Sequence, residues 1–533
     1  MTIKMHFFLF LAIILTANGC RDEGSPSEKQ GGNKYFVSES GNDDSKGTFR
    51  SPWKTIEKVN LLNLRPGDAV YFKGGSTFNG TLRLDSSDSG SLKENVLIGS
   101  FGEGKAIING GTGEGLVADR CNHLVIKDLI FNGDGRESGN LTDGVFIASS
   151  SNLVVDNCEM SGFQHSGLHV RKAIDVKITH VYAHNNGFAG IHITGATMND
   201  PVNYDNKNLY IGYCIAENNP GDPTVLKGHS GNGILASSVN GGIIEFCEAF
   251  NNGWDMPWTG NGPVGIWIWD CTDFIIQYCI AHDNKTNPVA ADGGGFDFDG
   301  GVSNSVLQYC ISFNNQGPGI GLFEFGAAKP WENNVVRYNI SQNDGIINGG
   351  SLAIWKDEKA GKMKNCEIYN NTFYNDTVNG RALWVYNNWE GFNFRNNIFI
   401  YKGPFLDPGQ KLVNELFQGN CYRNLSGNPS IAGYKSLRDW AMATGNEMLS
   451  DSLIGFFTDP WLIAPGSLFL TDPDMMTPEN LSPYALKPGS PLIDRGLDLK
   501  KLFMIDPGIH DLVGNSLPYG KGFEVGALEY SSE

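Results

Sequence analysis

From about residue 115 the chain alternates apolar and polar positions in short runs, most of them opened by glycine: GVFIA (144–148), GLHVR (167–171), GIHIT (190–194), GILAS (233–237), GIWIW (265–269) and GFDFD (295–299). GIGLF (319–323), SLAIW (351–355) and ALWVY (382–386) are looser members of the same series. A second apolar stretch follows each run and ends in a turn-like tail, as in CIAENN (214–219), CEAFNN (247–252), CIAHDN (279–284), CISFNN (310–315) and NISQND (339–344). Equivalent positions 214, 247, 279, 310 and 339 are spaced by 33, 32, 31 and 29 residues. Period-2 strands with Asn/Gly turns, repeating at this length, predict a solenoid of stacked β-coils. No unit has a helical period, so helical repeats are excluded.

Alternation fixes the facing of each first strand. Ile266, Ile268, Phe296 and Phe298 point inward, and their neighbours point out. Stacked units then carry two outward columns. One runs Phe146, His169, His192, Leu235, Trp267, Asp297, Gly321, Ala353, Trp384; the other Ala148, Arg171, Thr194, Ser237, Trp269, Asp299, Phe323, Trp355, Tyr386. Cys158, Cys214, Cys247, Cys279 and Cys310 share one repeat position, which Asn339, Asn371 and Asn397 continue. Free, buried thiols are expected there, because parallel inward side chains about 4.8 Å apart rarely reach disulfide torsions. With no CxxC pair, structural zinc is not expected.

These units resemble the right-handed parallel β-helix superfamily of pectate lyases and polygalacturonases. The resemblance spans roughly residues 66–400, about ten coils. It implies an all-β solenoid with an amphipathic cap helix at 53–64, and an Asn ladder at the bend that the cysteines share. The segments SPYALKPGSPLIDRG and GFEVGALEY resemble the tail of bacterial polysaccharide-degrading members. The implied organisation is a targeting segment (1–20), a polar tether (21–33), cap and first coils (34–115), β-helix repeats with a cleft (116–403), and a mostly irregular C-terminal capping region (404–533).

The outward face carries the candidate chemistry. Asp297 and Asp299, in ADGGGFDFDGG, are two residues apart on one strand, so their Cα atoms lie about 6.5–7 Å apart on the same face. Inverting glycosidases hold their acid and base roughly 6.5–9.5 Å apart. Asp270 and Glu324, in the flanking coils, are candidates to complete the cluster. Trp267, Trp269, Trp355, Trp384 and Tyr386 offer faces for sugar rings, and His169, His192, Arg171 and Lys356 are polar partners or bases. Long loops at 218–232, 251–264 and 284–294 add His229, Trp254, Trp258 and Asp292 as cleft walls. His184 and His282 read as surface turn residues, and Arg337 as a solvated arginine on another sheet.

Three readings stay open. The leading one is a glycoside hydrolase that needs no cofactor. The second is a calcium-dependent lyase acting on a uronate-containing glycan, with Ca²⁺ on Asp297, Asp299 and Asp292. The segment around Asp297 lacks the DGF-x-x-K arrangement of a calcium-dependent exolyase family that the chain otherwise resembles. The third is a noncatalytic carbohydrate-binding or adhesive β-helix.

Composition narrows the partners. The 68 glycines among 533 residues show no Gly-X-Y period, which excludes collagen. A net charge of −18 excludes a nucleic-acid partner and makes a polyanionic glycan awkward unless a cation is bound. Lys4, the apolar run from Phe7 to Ala17 and Cys20 resemble a bacterial lipoprotein signal, with Cys20 lipidated. The expectation is an extracytoplasmic monomer, at an outer membrane or cell surface or secreted. It would touch membrane only through that anchor and bind a polysaccharide or oligosaccharide.

Overall fold

The structure, a computed structural model, describes residues 31–531 except 138, 196–199, 328, 378–379 and 408. Cys20, the signal segment and most of the tether lie outside the described residues. Each coil contributes up to three short strands, each pairing in parallel with its equivalent in the next coil. One coil reads Ile320–Glu324, Trp331–Arg337, Ile340–Gln342. These three positions define a first, second and third sheet. The third holds fourteen strands, from Thr77–Asn79 to Phe456–Phe457. That is more coils than the expected ten, because the end coils lack the glycine and cysteine marks of the central ones.

The register matches the predicted columns. Phe146 pairs with His169, His169 with His192, Leu235 with Trp267, Trp267 with Asp297, Asp297 with Gly321 and Ala353 with Trp384. Ile266, Ile268, Phe296 and Phe298 are buried in the core between the sheets. Coil corners are made by residues at positive φ, such as Tyr278 (51°), Asp283 (51°) and Asp270 (54°), each followed by an inward side chain. This left-handed conformation costs a non-glycine residue energy, so the corners need support.

Support comes from two buried ladders. At the second-to-third bend each inward thiol donates to the carbonyl two residues back, as Cys279 does to Gln277 (3.2 Å). From Cys310 onward asparagine takes over. The Cys310 amide donates to Asn339 Oδ1 (2.9 Å), and amide-to-Oδ1 bonds continue through Asn371, Asn397 and Asn420. Glu447 accepts from the last rung at 2.7 Å. All nine cysteines of the described residues are free and buried. Burial pushes the Cys158 thiol up to about 12. A second ladder, at the far corner of the third sheet, was not foreseen: Asn186, Asn219, Asn252, Asn284 and Asn315, closed by Asp344.

The ends depart from expectation. The cap helix is a single turn, Ile56–Val59, with Thr55 capping it and Ile56 and Val59 in the core. At the other end Leu437–Thr444 lays Trp440 over Phe405, Phe417 and Tyr422 and covers the last coils. Glu447 and Phe456–Phe457 complete the last coil, and the chain beyond them turns back. It returns along the outside of the second and third sheets, where Leu468 bonds Gln342 and His510 accepts from Tyr309. Arg337 is therefore half-buried, held by Gln308, Tyr369 and the Asp506 carbonyl, and is not a solvated arginine. His282 is likewise buried between Glu248 and Asp283 and stacked with Phe250 and Phe313, so it is no surface turn residue. His184 is half-buried, stacked on Tyr182 and bonded to Glu159. No helix among the described residues is long and apolar enough to cross a membrane.

Asn284→Ala would leave the backbone amide and one side-chain N–H of Asn252 without an acceptor in a dry interior, the other side-chain N–H keeping the Ala216 carbonyl. The expected loss is about 2–4 kcal/mol in urea unfolding, against under ~1.5 kcal/mol for Cys279→Ala, which orphans no donor.

Candidate active site

The first sheet's outward face is roofed around its centre by the long loops. Leu235, Trp267 and Asp297 are all under 5% exposed there. Trp267 donates from its indole to Asn232 (3.1 Å), meets His229 edge-on (5.0 Å) and packs with Leu235 and Val264. It is thus part of the loop support rather than an open platform for sugar. Outward direction was legible in the alternation; cover by a loop was not.

Carboxylates converge beside it. Asp297 and Asp299 flank inward Phe298; Asp292 comes from the wall loop and Glu324 from the next coil. Asp297 Oδ1 is buried and has no hydrogen-bond partner. Burial, then the charges of Asp299 and Asp292, raise the Asp297 carboxyl well above the usual range. Asp299 is half-buried and also raised, through burial and then Asp292 and Glu324, while the Gly300 amide (2.8 Å) favours its ionised form. Asp292, held by the Gly262 amide (2.8 Å), is pushed up by burial to about 6. Gly321 makes room for this cluster: a Cβ there would sit 3.0 Å from Asp297 Oδ1 and 2.8 Å from the Phe323 ring.

Two residues expected to complete the acids do other work. Asp270 turns into a buried ion pair, with Lys329 Nζ 2.8 Å from Oδ1 and 2.9 Å from Oδ2. Its charged neighbours are Lys329 and Asp205, not the aspartate pair. Burial outweighs the lysine and lifts it to about 6. Glu324 accepts from the amides of Gly301 (3.0 Å), Gly326 (2.6 Å) and Ala327 (2.9 Å), tying down the backbone just after Asp299. It is a positioning residue.

The open part of the face lies on the Asp299 side. Trp269 and Trp355 are half-buried, Trp269 edge-on to Phe325 (5.9 Å) and Trp355 edge-on to Phe323 (6.5 Å). Trp384 stacks with exposed Tyr386 one coil further. Lys356 pairs in register with Glu324, and its Nζ donates to the Asp357 carbonyl (2.9 Å). Phe325, 38% exposed, was missed because it lies past the end of the alternating run.

At the other end, His169 and His192 stack at 4.6 Å. His169 bridges Asp143 (2.9 Å) and Thr194 (3.0 Å). Burial disfavours charge on Asp143, but the bond and charge of His169 outweigh it and lower its pKa. Burial, reinforced by His169, His229 and His165, holds His192 well below the imidazole range, and burial brings His229 to about 4. Both are neutral rings at pH 7. Arg171 is exposed, four rungs from Asp299. Trp254 leans on Arg136 and bonds Asn218, and Trp258 bonds Asn261, so both brace the walls. Asp143 was missed because its partner lies 26 residues away with no shared motif.

Among the described residues no three acidic, His or Cys side chains are arranged to hold a metal ion.

Residues 35–351 match the family model described as "Pel9A-like, right handed beta helix region". Over 514 aligned residues the chain is 24% identical to the lacto-N-biosidase of Bifidobacterium longum subsp. longum, covering 75% of this chain and 31% of that protein. The chain thus spans about a third of that relative's length. It is 23% identical to the pectate lyase PEL9 of Emericella nidulans over 346 residues, 60% of this chain and 78% of that one. A solved GH136 lacto-N-biosidase from Eubacterium ramulus superposes with a TM-score of 0.49 at 16% identity, covering 74% and 68% of the two chains.

Two measurements separate these roles. Asp297→Asn removes a buried acid whose folded pKa is raised. Such a group lends stability below its unfolded pKa of about 4 and loses it as pH rises through the folded value. The variant should therefore melt roughly 1–3 °C above the parent at pH 8 and no higher at pH 4, in paired thermal scans. Lys329→Met strands the Asp270 charge and should cost about 3–5 kcal/mol, most of it restored by adding Asp270→Asn, in denaturant titrations.

Proposed function

The chain belongs to the Pel9A-like right-handed β-helix family, and from that premise we propose that it is a glycoside hydrolase acting on a complex polysaccharide or oligosaccharide. The single observation carrying this reading is the unequal aspartate pair beside an aromatic-lined face. Asp297 is buried, with an unpartnered oxygen and a strongly raised pKa. Asp299 is more open and receives an amide N–H. Both carboxyls are raised, Asp299 to about 8, and the Gly300 amide favours Asp299 as the one that ionises, which makes it the base and Asp297 the acid.

In the proposed reaction Asp297 carries the proton and gives it to the glycosidic oxygen as the bond to the anomeric carbon breaks. Asp299 takes a proton from water, which attacks that carbon from the opposite face. Two carboxyls on alternate residues of one strand face can flank such a water, as inversion requires. Trp269, Trp355, Phe325, Trp384 and Tyr386 supply the sugar-stacking faces, and Glu324 holds the turn that fixes Asp299. The names of the two relatives support carbohydrate chemistry and leave the linkage open. Lipid attachment at Cys20, a signal segment and a location outside the cytoplasm belong to the same proposal, on the Phe7–Ala17 run and the cysteine that follows.

A polysaccharide and oligosaccharide panel tests it. New reducing ends without ultraviolet absorbance are expected. Asp297→Asn and Asp299→Asn should each lower kcat/KM by about 10³-fold or more, while Asp270→Asn leaves catalysis within a few-fold. Absorbing unsaturated ends would instead mean elimination, with Lys356 the first base to test. Binding without any cleavage would mean an adhesive module.

A further inference from the structure

A second cavity lies away from the aspartates. Tyr374, Ile400 and Arg423 stand on three successive rungs of the third sheet, in register. Tyr374 and Ile400 are buried and form the floor of a cavity of about 420 Å³. The returning C-terminal segment makes the walls. Trp461 and Ile463 come from one stretch of it, Lys487 from another, and Leu425 closes the remaining side. The volume falls within the range of small-ligand sites, roughly 300–1,000 Å³.

Trp461 stands out by its exposure. It is 49% exposed, at φ +55°, the left-handed conformation that Tyr278 and Tyr309 also adopt at coil corners. Its amide is fixed by Asp459 Oδ1 (2.9 Å) and its carbonyl by the Lys487 amide (2.8 Å). The conformation is thus maintained by bonds on both sides, and the ring stands on the cavity rim with no aromatic neighbour stacked on it among the described residues. An exposed, unstacked ring on a cavity rim is free to lie against a sugar face. Charge points the same way. Arg423 and Lys487 face the cavity against one carboxylate, Asp459, which lies 3.6 Å from Arg423. In a chain of net charge −18 that makes a local positive excess. Ile463 and Leu425, both exposed, extend the apolar rim.

We infer that this cavity is a glycan-binding site for uronate-containing oligosaccharides, separate from the aspartate cleft, with Trp461 stacking on a sugar face and Arg423 and Lys487 receiving the carboxylate. The site lies on the third sheet and the aspartates on the first, so it would hold a polymer near the enzyme without taking part in cleavage.

Titration calorimetry on Asp297→Asn protein with trigalacturonate, trimannuronate and a hyaluronan tetrasaccharide tests it, with maltotriose as the uncharged control. Saturable binding of at least one uronate probe is expected, weakened about tenfold or more by Trp461→Ala. Trp461→Gly should match that loss while relieving the backbone strain, so a similar loss in both variants is not a folding defect. Lys487→Gln should weaken the uronate probe about fivefold and leave maltotriose unchanged. No uronate binding, or binding that Trp461→Ala and Trp461→Gly leave intact, would overturn the inference. Cleavage of a short soluble substrate by otherwise unaltered Trp461→Gly should equal that of the parent, so failure of the hydrolase proposal and failure of this one give different results.

Discussion

In-register parallel stacking is the constraint on which the rest depends. Once each coil lies over its predecessor at about 4.8 Å, every repeat position becomes a column, and like side chains are forced together whether or not they attract. Inside, this is tolerable only for groups that satisfy their own kind. Asparagine does so because its amide donates to one neighbour and accepts from the next, as from Asn186 through to Asn315. Cysteine does so by behaving as a small apolar residue whose thiol reaches a local carbonyl. Charged residues could not fill an inner column, and both ladders accept a carboxylate only at their last rung, Glu447 and Asp344. Burial lifts Glu447 to about 7 and Asp344 to about 6.

On the outer face the same stacking creates reactivity. Asp297 sits between Trp267 below and Gly321 above, neither of which offers its Oδ1 a bond. The repeat thus builds a dry position, and the chain places a carboxyl in it. Such an arrangement works against stability, which the ladders and the returning tail supply elsewhere, and proteins keep it chiefly where it serves chemistry.

Much of this was legible in the sequence because β-alternation is strict. A period of two leaves no freedom in facing, so the two columns and the core residues Ile266 and Phe298 could be read without a structure. What could not be read were contacts made across the repeat by segments outside it. Asp270 looked like a catalytic neighbour by position, but Lys329, 59 residues on, reaches back to neutralise it. Trp267 looked like a platform by direction, but the loop bearing His229 lies over it. Arg337 looked solvated until the tail around Asp506 was seen to cross it. In each case the local period gave the direction of a side chain, and chain return decided its surroundings.

The acidity of the chain takes on a different meaning at the site. Counted as formal charges, Asp292, Asp297, Asp299 and Glu324 would repel any anionic glycan and demand a cation. Burial, together with mutual repulsion within the aspartate pair, raises all four, so the cluster gives up its protons less readily than the formal count assumes. Lys356, in register with Glu324, offsets part of what is left. A cleft carrying fewer charges than its sequence implies repels an anion less than the formal count suggests. The rest of the −18 is spread over a long solenoid surface, where at physiological salt it is screened within about 8 Å. Local charge at the aspartate cluster, rather than net charge, is therefore what a molecule in the cleft would meet.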